Sequence, residues 1–327
     1  MFLTSSAAPS APFRAPSVPL NVIDKIIDEL GPIPHLCFGT QRFLDMHRRQ
    51  LFEALGQLTL TDLENMSFTG ESLALDTISH KIYMLKRLDT LTPVDSVEVD
   101  IVAISPFVAS KLAAWMRVLK RHELVHLFGR YSAIPSTRIL AGDVFMAYCH
   151  VIFSTKIKLD FFPMVRIGGQ PQTKAAKDLQ WFSSHTEFRG SDDSTVLEAL
   201  RVKASTKKVS LRIDPSCVVD YSSDEVVDRL HVEANIYYIP INANRAGINS
   251  FILHNKKLYL FQTTISDAHI ITPKLLSFLL KLKGLPPQNR WHFIFVRPPR
   301  RILACSIPDS AELRELVLYS AEVKVKS

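Results

Sequence analysis

Residues 247–271 read GINSFILHNKKLYLFQTTISDAHII, and this stretch decides the fold. Two apolar runs, at 250–253 and 258–263, flank a short polar turn, a pattern typical of a β-hairpin. Because side chains alternate along a strand, Gln262 and Thr264 are expected on one face of the second strand. An amide and a hydroxyl there indicate either a strand end that reaches solvent or an active-site edge whose charged residues have been replaced.

The segments around this hairpin extend the pattern in both directions. A helix is predicted from Leu140, a strand at 234–241, a helix at 273–283 and a strand at 290–298. The order helix, loop, several strands, helix, strand predicts an α/β (α+β) domain in which helices flank a mixed sheet.

The rest of the chain divides into four further regions. Residues 1–20 are rich in Ala, Pro and Ser and are expected to be a disordered lead-in. Residues 21–66 have helical periodicity. Residues 79–130 have a strand-helix connector pattern, with a strand predicted at 79–87 and one helix at 106–129. Residues 304–327 form a tail with a candidate edge strand. The side chains expected to pack the N-terminal helices on the rest are Ile26, Leu30, Phe43 and Phe52.

Composition sets outer limits on function. The chain has 327 residues, 47% hydrophobic and 22% charged, which excludes wholesale disorder. A net charge of +7 is compatible with nucleic-acid contact. The N-terminus lacks a secretory signal pattern and no apolar run is long enough for a membrane span, so we expect an intracellular protein, nuclear or cytoplasmic. Neither a zinc site nor a disulfide framework is expected from the widely separated cysteines Cys37, Cys149, Cys217 and Cys305.

Several segments in order, YYIPINANRAGINSFIL, LYLFQTTISDAHII and WHFIFVRP, resemble the C-terminal domain of Crinkler-type and retrotransposon-hot-spot-type proteins of fungal type. The upstream HKIYMLKR, ISPFVASKL and STRILAGDVFMAYCH are similar to what precedes and opens that domain. The resemblance covers about 79–300, and it implies that residues 131–303 form a restriction-endonuclease-like, PD-(D/E)XK domain.

The resemblance also implies where a metal-dependent nuclease would hold its ligands. The acid of the first helix falls at Met146, the strand acid at Asn249, and the acid-x-Lys pair at Gln262 and Thr264. Gln-x-Thr is a common variant in this group. With Met146 and Asn249 as well, no carboxylate remains at the metal-facing positions, whereas Mg²⁺ requires anionic oxygen ligands.

Neighbouring residues offer substitutes. Asp143 and His150 share a helix face with Met146, and Asp267 and His269 follow the strand that carries Gln262. The alternative interpretation is structural: Asp143 is then a helix acid favoured by the helix dipole, and both histidines are half-buried.

The N-terminal region carries a second resemblance. GPIPHLCF (31–38) resembles a turn near the end of the P-loop NTPase module that such proteins often carry, with His35 where Arg is expected. The chain contains no G-x-x-x-x-G-K-[ST] loop, and GGQPQ (168–172) has no Lys-Ser/Thr. Residues 21–66 are therefore interpreted as a lid remnant, and no ATP binding is expected.

Two basic segments are candidates for phosphate contacts, with solvated surface loops as the alternative. Their members are Arg201, Lys203, Lys207, Lys208 and Arg212 in the first, and Arg297, Arg300 and Arg301 in the second.

Two functions follow as expectations. In the first, the protein has a nuclease fold without catalysis or cofactor, and it is a nucleic-acid- or protein-binding module or a mobile-element relic. In the second, it is a working Mg²⁺-dependent nuclease of DNA or RNA with relocated ligands. The partner protein, if there is one, is not indicated by the residues.

Overall fold

The computed structural model describes most of the chain outside the N-terminal lead-in. The described residues are 19–33, 36, 41–65, 79–87, 99–166, 179–183, 208–221, 230–241, 247–271, 273–299, 303–307 and 316–326. Several predicted features lie outside them, namely the lead-in at 1–18, His35, Cys37, GGQPQ, Arg201, Lys203, Lys207, Arg300 and Arg301.

Helices dominate the N-terminal half of the described chain. They are α1 (Leu20–Leu30), α2 (Gln41–Gln57), α3 (Leu60–Asn65), α4 (Ser79–Ile82), α5 (Pro106–Met116), α6 (Arg121–Ser132), α7 (Arg138–Phe153) and, after the hairpin, α8 (Lys274–Leu279).

Strands dominate the C-terminal half. They are β1 (Tyr83–Arg87), β2 (Val99–Ala103), β3 (Ile157–Pro163), β4 (Val165–Arg166), β5 (Leu179–Phe182), β6 (Val209–Ile213), β7 (Cys217–Tyr221), β8 (Ile236–Pro240), β9 (Ser250–His254), β10 (Lys257–Thr263), β11 (Ala268–Ile270), β12 (Trp291–Arg297), β13 (Ala304–Ile307) and β14 (Val317–Glu322).

The predicted α/β class is confirmed. Eight strands form a mixed sheet in the order β6-β3-β14-β12-β10-β9-β8-β7, and smaller sheets pair β1 with β2 and join β11, β13, β5 and β4. Strands β8, β9 and β10 are antiparallel neighbours, and β12 lies parallel to β10.

The predicted hairpin forms as a tight two-residue turn. Strands β9 and β10 pair from His254 and Lys257 outward, and Asn255 and Lys256 have φ of 50° and 59°. Two successive residues with positive φ are the signature of a type I′ turn, whose twist matches that of the paired strands.

Two hydrophobic clusters cover the two faces of the large sheet. The helical core packs α1, α2, α5, α6 and α7 against one face, where Tyr259 and Phe261 of β10 lie. The second core lies on the other face, where Leu258 and Leu260 of the same strand meet α8 and the four-stranded sheet. Alternation along β10 therefore places apolar side chains in both cores.

Helix α1 ends at a glycine whose backbone conformation and surroundings admit no other residue. Ile26 and Leu30 lie one turn apart and are buried. The following Gly31 has φ of 93°, and a Cβ there would lie 2.6 Å from the carbonyl oxygen of Ile104. Glycine is required on both counts, because L side chains disfavour this backbone region and the space is filled.

Several element predictions are corrected. The single helix predicted from residue 106 is two, α5 and α6, and α8 is shorter than the predicted 273–283. Residues 79–82, predicted as strand, form α4. Phe52, predicted to pack inward, is 51% exposed, with its ring edge against Phe107.

The C-terminal tail differs most from its prediction. Strand β14 is an interior strand, parallel to β12 on one side and antiparallel to β3 on the other. Its residues Tyr319 and Ala321 belong to the helical core and Leu318 to the second core. The α/β unit therefore extends beyond the predicted boundary at residue 303.

Candidate functional site

The structure brings two of the implied ligand positions together where α7 crosses the start of β9. The Nδ2 of Asn249 donates to the Sδ of Met146 at 3.0 Å. The Oδ1 of Asn249 accepts from the backbone N and the Oγ1 of Thr263, at 2.6 and 2.9 Å. Met146, Asn249 and Thr263, all buried, thus form a contiguous polar contact that we call the Asn249 centre.

Gln262 does not join this centre, which corrects the expectation that Gln262 and Thr264 face one metal site together with Met146 and Asn249. On β10 the residues facing α7 are Phe261 and Thr263, because Gln262 alternates with Leu260 onto the second core. Thr264 follows Gln262 onto that side, where its hydroxyl contacts the ring of His269, which packs against Phe295.

Sequence reasoning missed Thr263 for a physical reason. A shift of one residue in a strand exchanges the two faces, and only a difference in polarity between the faces reveals the register. Strand β10 is buried on both faces, so its apolar pattern contains no such difference. The remaining signal was the hydroxyl group of Thr263 itself. It was not selected because the Gln-x-Thr pattern uses positions 262 and 264.

The donors of the Asn249 centre do not fit Mg²⁺. Methionine supplies a soft thioether, and the one carbonyl oxygen of Asn249 already accepts two hydrogen bonds from Thr263. Phe261, the other α7-facing position, is fully buried with its ring 5.2 Å from that of Phe153. The ligand positions implied at Met146 and Asn249 therefore carry uncharged side chains.

His150, one turn further along α7, belongs to a second polar contact near this centre. Its Nδ1 lies 3.0 Å from the hydroxyl of Tyr237, which donates to Ser250 at 2.7 Å. Burial, followed by the charge of Arg117, lowers the pKa of His150 to about 3. The imidazole is thus neutral at physiological pH and held in a structural hydrogen bond.

His150, Met146 and Asn249 line a small cavity together. Its volume is about 10 Å³, and Arg117, Met146, His150 and Asn249 contribute to its wall. Such a volume is about that of one water molecule and far below that of a nucleotide.

Asp143 lies earlier on α7 and interacts with a different residue. Burial raises the pKa of its carboxyl to about 7, and it interacts electrostatically with the buried Tyr83 of β1. It lies seven residues before His150, about 10 Å along the helix axis. A metal bound at the Asn249 centre would therefore not share Asp143 and His150 as ligands.

Asp267 and His269 lie beyond the end of β10. The carboxylate of Asp267 is half-exposed and 3.9 Å from the guanidinium of Arg138. His269 contacts Thr264, and burial lowers its pKa. Across the described part of the chain, no group of three or more His, Cys, Asp or Glu residues is close enough to hold a metal ion.

The basic residues separate into an exposed and a buried part. Lys208 and Arg212 are exposed at strand β6, with Lys158 of β3 directly opposite Arg212 in the ladder. Arg297, in contrast, is 3% exposed and pairs with Glu322 at 2.9 Å. The prediction of Arg297 as a phosphate contact is therefore corrected, because Arg297, at the end of β12, is buried beside Glu322 of β14.

No protein-family model, curated protein or solved structure matches this chain. Among the helices that the structure describes, none combines the length and the apolar character needed to cross a membrane.

Proposed function

We propose that the protein is a catalytically inactive member of the Crinkler and retrotransposon-hot-spot type, with a degenerate restriction-endonuclease-like domain, that acts as a nucleic-acid-binding module. The element order supports this type, since α7, the strands β3 to β11, α8 and β12 follow the predicted sequence of helix, loop, several strands, helix and strand, which is the order expected of a small nuclease-like domain. The contact between Met146 and Asn249 supports it further, because the resemblance implies ligands at both positions.

The loss of catalysis follows from charge. A phosphodiesterase that uses Mg²⁺ concentrates the ion with carboxylates and stabilises the transition state with a cation. The Asn249 centre presents a thioether, an amide and a hydroxyl. Asp143 and His150 lie about two helical turns apart, so these two side chains would not bind the same metal ion.

The observation that carries the binding proposal is a basic face on strands β3 and β6. We use this name for Lys156, Lys158, Lys208 and Arg212, which alternate onto the side of these strands opposite the helical core. Two carboxylates accompany them, since Lys208 pairs with Asp160 at 3.1 Å and Lys156 with Asp214 at 3.0 Å.

Lys158 and Arg212 give this face its excess positive charge. They are direct cross-strand partners, and like charges at opposite ladder positions repel. Both are exposed, and neither forms an ion pair within 4 Å with another described residue. A phosphate between them would relieve the repulsion, which favours nucleic-acid backbone contact without base readout.

The test measures binding and cleavage in one experiment. Fluorescently labelled duplex DNA, single-stranded DNA and single-stranded RNA are titrated with the full chain at several KCl concentrations, with Mg²⁺ or with EDTA. We expect binding that weakens steeply with salt, shows little sequence preference and is not followed by cleavage.

The decisive variant is Lys158→Ala with Lys208→Ala and Arg212→Ala. It should lower the slope of log affinity against log salt by up to about 3, because each phosphate contact contributes nearly one unit. A matched control removes three exposed charges elsewhere, Lys25→Ala, Arg49→Ala and Lys274→Ala, and should retain most of the slope.

Three results would contradict the proposal. Absence of binding even at low salt would leave a protein-binding role. An equal effect of the control variant would indicate net charge rather than a site. Mg²⁺-dependent cleavage that Asp143→Asn abolishes would indicate a working nuclease with relocated ligands.

A further inference from the structure

A large cleft lies at the end of the sheet, separate from the Asn249 centre and from the basic face. Its volume is about 1000 Å³. One wall consists of residues 264–267 after β10 and residues 297–299 at the end of β12. The lining also contains the start of β2 and residues 131–136, where α6 ends.

This position is favourable for a ligand. Strands β10 and β12 are parallel, so both carboxyl ends open into the same cleft. Crevices outside the carboxyl ends of parallel strands are a recurrent place for ligands in α/β proteins. The volume also lies at the upper end of the range usual for small-molecule sites.

Most charges of the cleft are already paired. Arg138 lies 3.9 Å from Asp267, and Arg297 lies 2.9 Å from Glu322. The remaining charged lining residue of the described chain is Asp100 of β2. Among the charged lining residues that the structure describes, Asp100 is therefore the one without an ion pair within 4 Å.

Asp100 is nine-tenths buried, with 9% of the residue exposed. Lys86 is its ladder neighbour on β1, but no hydrogen bond and no ion pair within 4 Å joins Asp100 to this or to any other described residue. A buried carboxylate without a partner is costly, and a cationic group in the cleft would offset that cost.

The remaining wall is largely apolar, with hydroxyl groups at the rim. Its apolar members include Phe128, Ile134, Ile265, Pro298 and Leu303, and its hydroxyl groups include those of Ser132, Ser136 and Ser266. This combination of an apolar wall and one acid selects a ligand with an apolar body and a single cationic head.

We propose that this cleft binds a small organic cation, an amine or guanidinium on an apolar body, whose charged head pairs with Asp100. The site is independent of the nucleic-acid binding that we propose for strands β3 and β6. Failure of one proposal therefore leaves the other standing.

The probes are 4-phenylbutylamine, 4-phenylbutanol and 4-phenylbutyrate, which share a body and differ in the charge of the head. Affinities for the full chain are measured by chemical-shift titration of the ¹⁵N-labelled protein. We expect the amine to bind at least about tenfold more tightly than the alcohol, with shifts in residues 131–138 and 264–267. The acid should bind most weakly.

Variants then test the role of Asp100. Asp100→Asn should abolish the preference for the amine over the alcohol, whereas the matched charge change Asp28→Asn, at an exposed position of α1, should keep it. DNA binding should be unchanged in both.

A second variant covers the case in which Asp100→Asn fails to fold. Ser132→Trp places a bulky ring at the exposed rim and should weaken all three probes. Equal affinity for amine and alcohol in the unmodified protein, or shifts that map elsewhere, would overturn the proposal.

Discussion

At the scale of single residues, Asn249 connects helix α7 to the sheet through three hydrogen bonds. The side chain of Asn249 uses its carbonyl oxygen for two donors of Thr263 and its amide for the sulfur of Met146. A carboxylate could accept the same two bonds but could not donate to Met146. The asparagine therefore fits a role in joining α7 to the sheet.

If Asn249 holds this contact, substituting it should lower the free energy of unfolding more than substituting Thr263. Asn249→Ala should lower the free energy of unfolding by about 1–3 kcal/mol, because the buried N–H of Thr263 loses its acceptor. Thr263→Val should cost less, about 0.5–1.5 kcal/mol, because it removes one donor and leaves no orphaned group. Urea unfolding followed by circular dichroism measures both.

The exposed Asn289 provides a control for the same substitution, and Asn289→Ala should stay within about 0.5 kcal/mol. A loss for Thr263→Val that equals or exceeds that for Asn249→Ala would show that the asparagine does not hold this contact.

Individual residues show which features of the candidate site could be predicted from the sequence and which could not. The resemblance implied ligand positions at Met146 and Asn249, and these two side chains are in contact. Burial of Arg297 was not predictable, because its partner Glu322 lies 25 residues later on a neighbouring strand. Long-range pairing of this kind leaves no periodic signal in the sequence near either residue.

At the scale of elements, local sequence patterns were sufficient to predict the hairpin and the N-terminal helices. They were not sufficient to predict the interior position of β14. A β-hairpin is a local structure whose turn and two strands lie within one short segment. β14 pairs with β12 and with the distant β3 through a mixture of parallel and antiparallel ladders. Its short, mixed apolar pattern is that of an edge strand, and only tertiary pairing makes it an interior one.

The interior position of β14 predicts a large difference between two equal substitutions on it. Ala321 is fully buried, opposite Val296 of β12 and Phe161 of β3, whereas Val317 at the start of the strand is 38% exposed. Ala321→Asp should cost more than about 4 kcal/mol or prevent folding, because it buries an unpaired charge.

Val317→Asp is the control and should cost about 1 kcal/mol or less. Circular dichroism and urea midpoints of the two variants are compared. Similar, small losses for both would place the tail at the edge of the sheet, as its sequence alone predicts.

At the scale of the whole molecule, the N-terminal helices and the sheet share one core. The helical core runs without interruption from Ile26 of α1 through α7 to Ile294 of β12. Tyr131, at the predicted boundary between connector and domain, lies inside α6 and donates to the carbonyl of Leu63 at 2.6 Å. The predicted regions 21–66, 79–130 and 131–303 are thus joined by packing as well as by the chain.

A shared core predicts that the helices and the sheet unfold together. Trp115 of α5 reports on the helices and Trp291 of β12 on the sheet, and the third tryptophan is Trp181. Two proteins are needed, one with Trp181→Phe and Trp291→Phe and one with Trp181→Phe and Trp115→Phe. In each protein, the fluorescence transition in urea should coincide with the transition of the same protein by circular dichroism. The reason is that neither the helices nor the sheet keeps its buried face without the other.

Leu30→Ala tests the same coupling by perturbation. This side chain is 4% exposed in α1, and its truncation should cost about 2–5 kcal/mol. Because Leu30 packs in the core that also contains the α7-facing side of β10 and β12, the loss should lower the Trp291 midpoint as much as the Trp115 midpoint. A shift confined to Trp115, or an early helical transition in the unsubstituted background, would instead describe a lid that folds apart from the sheet.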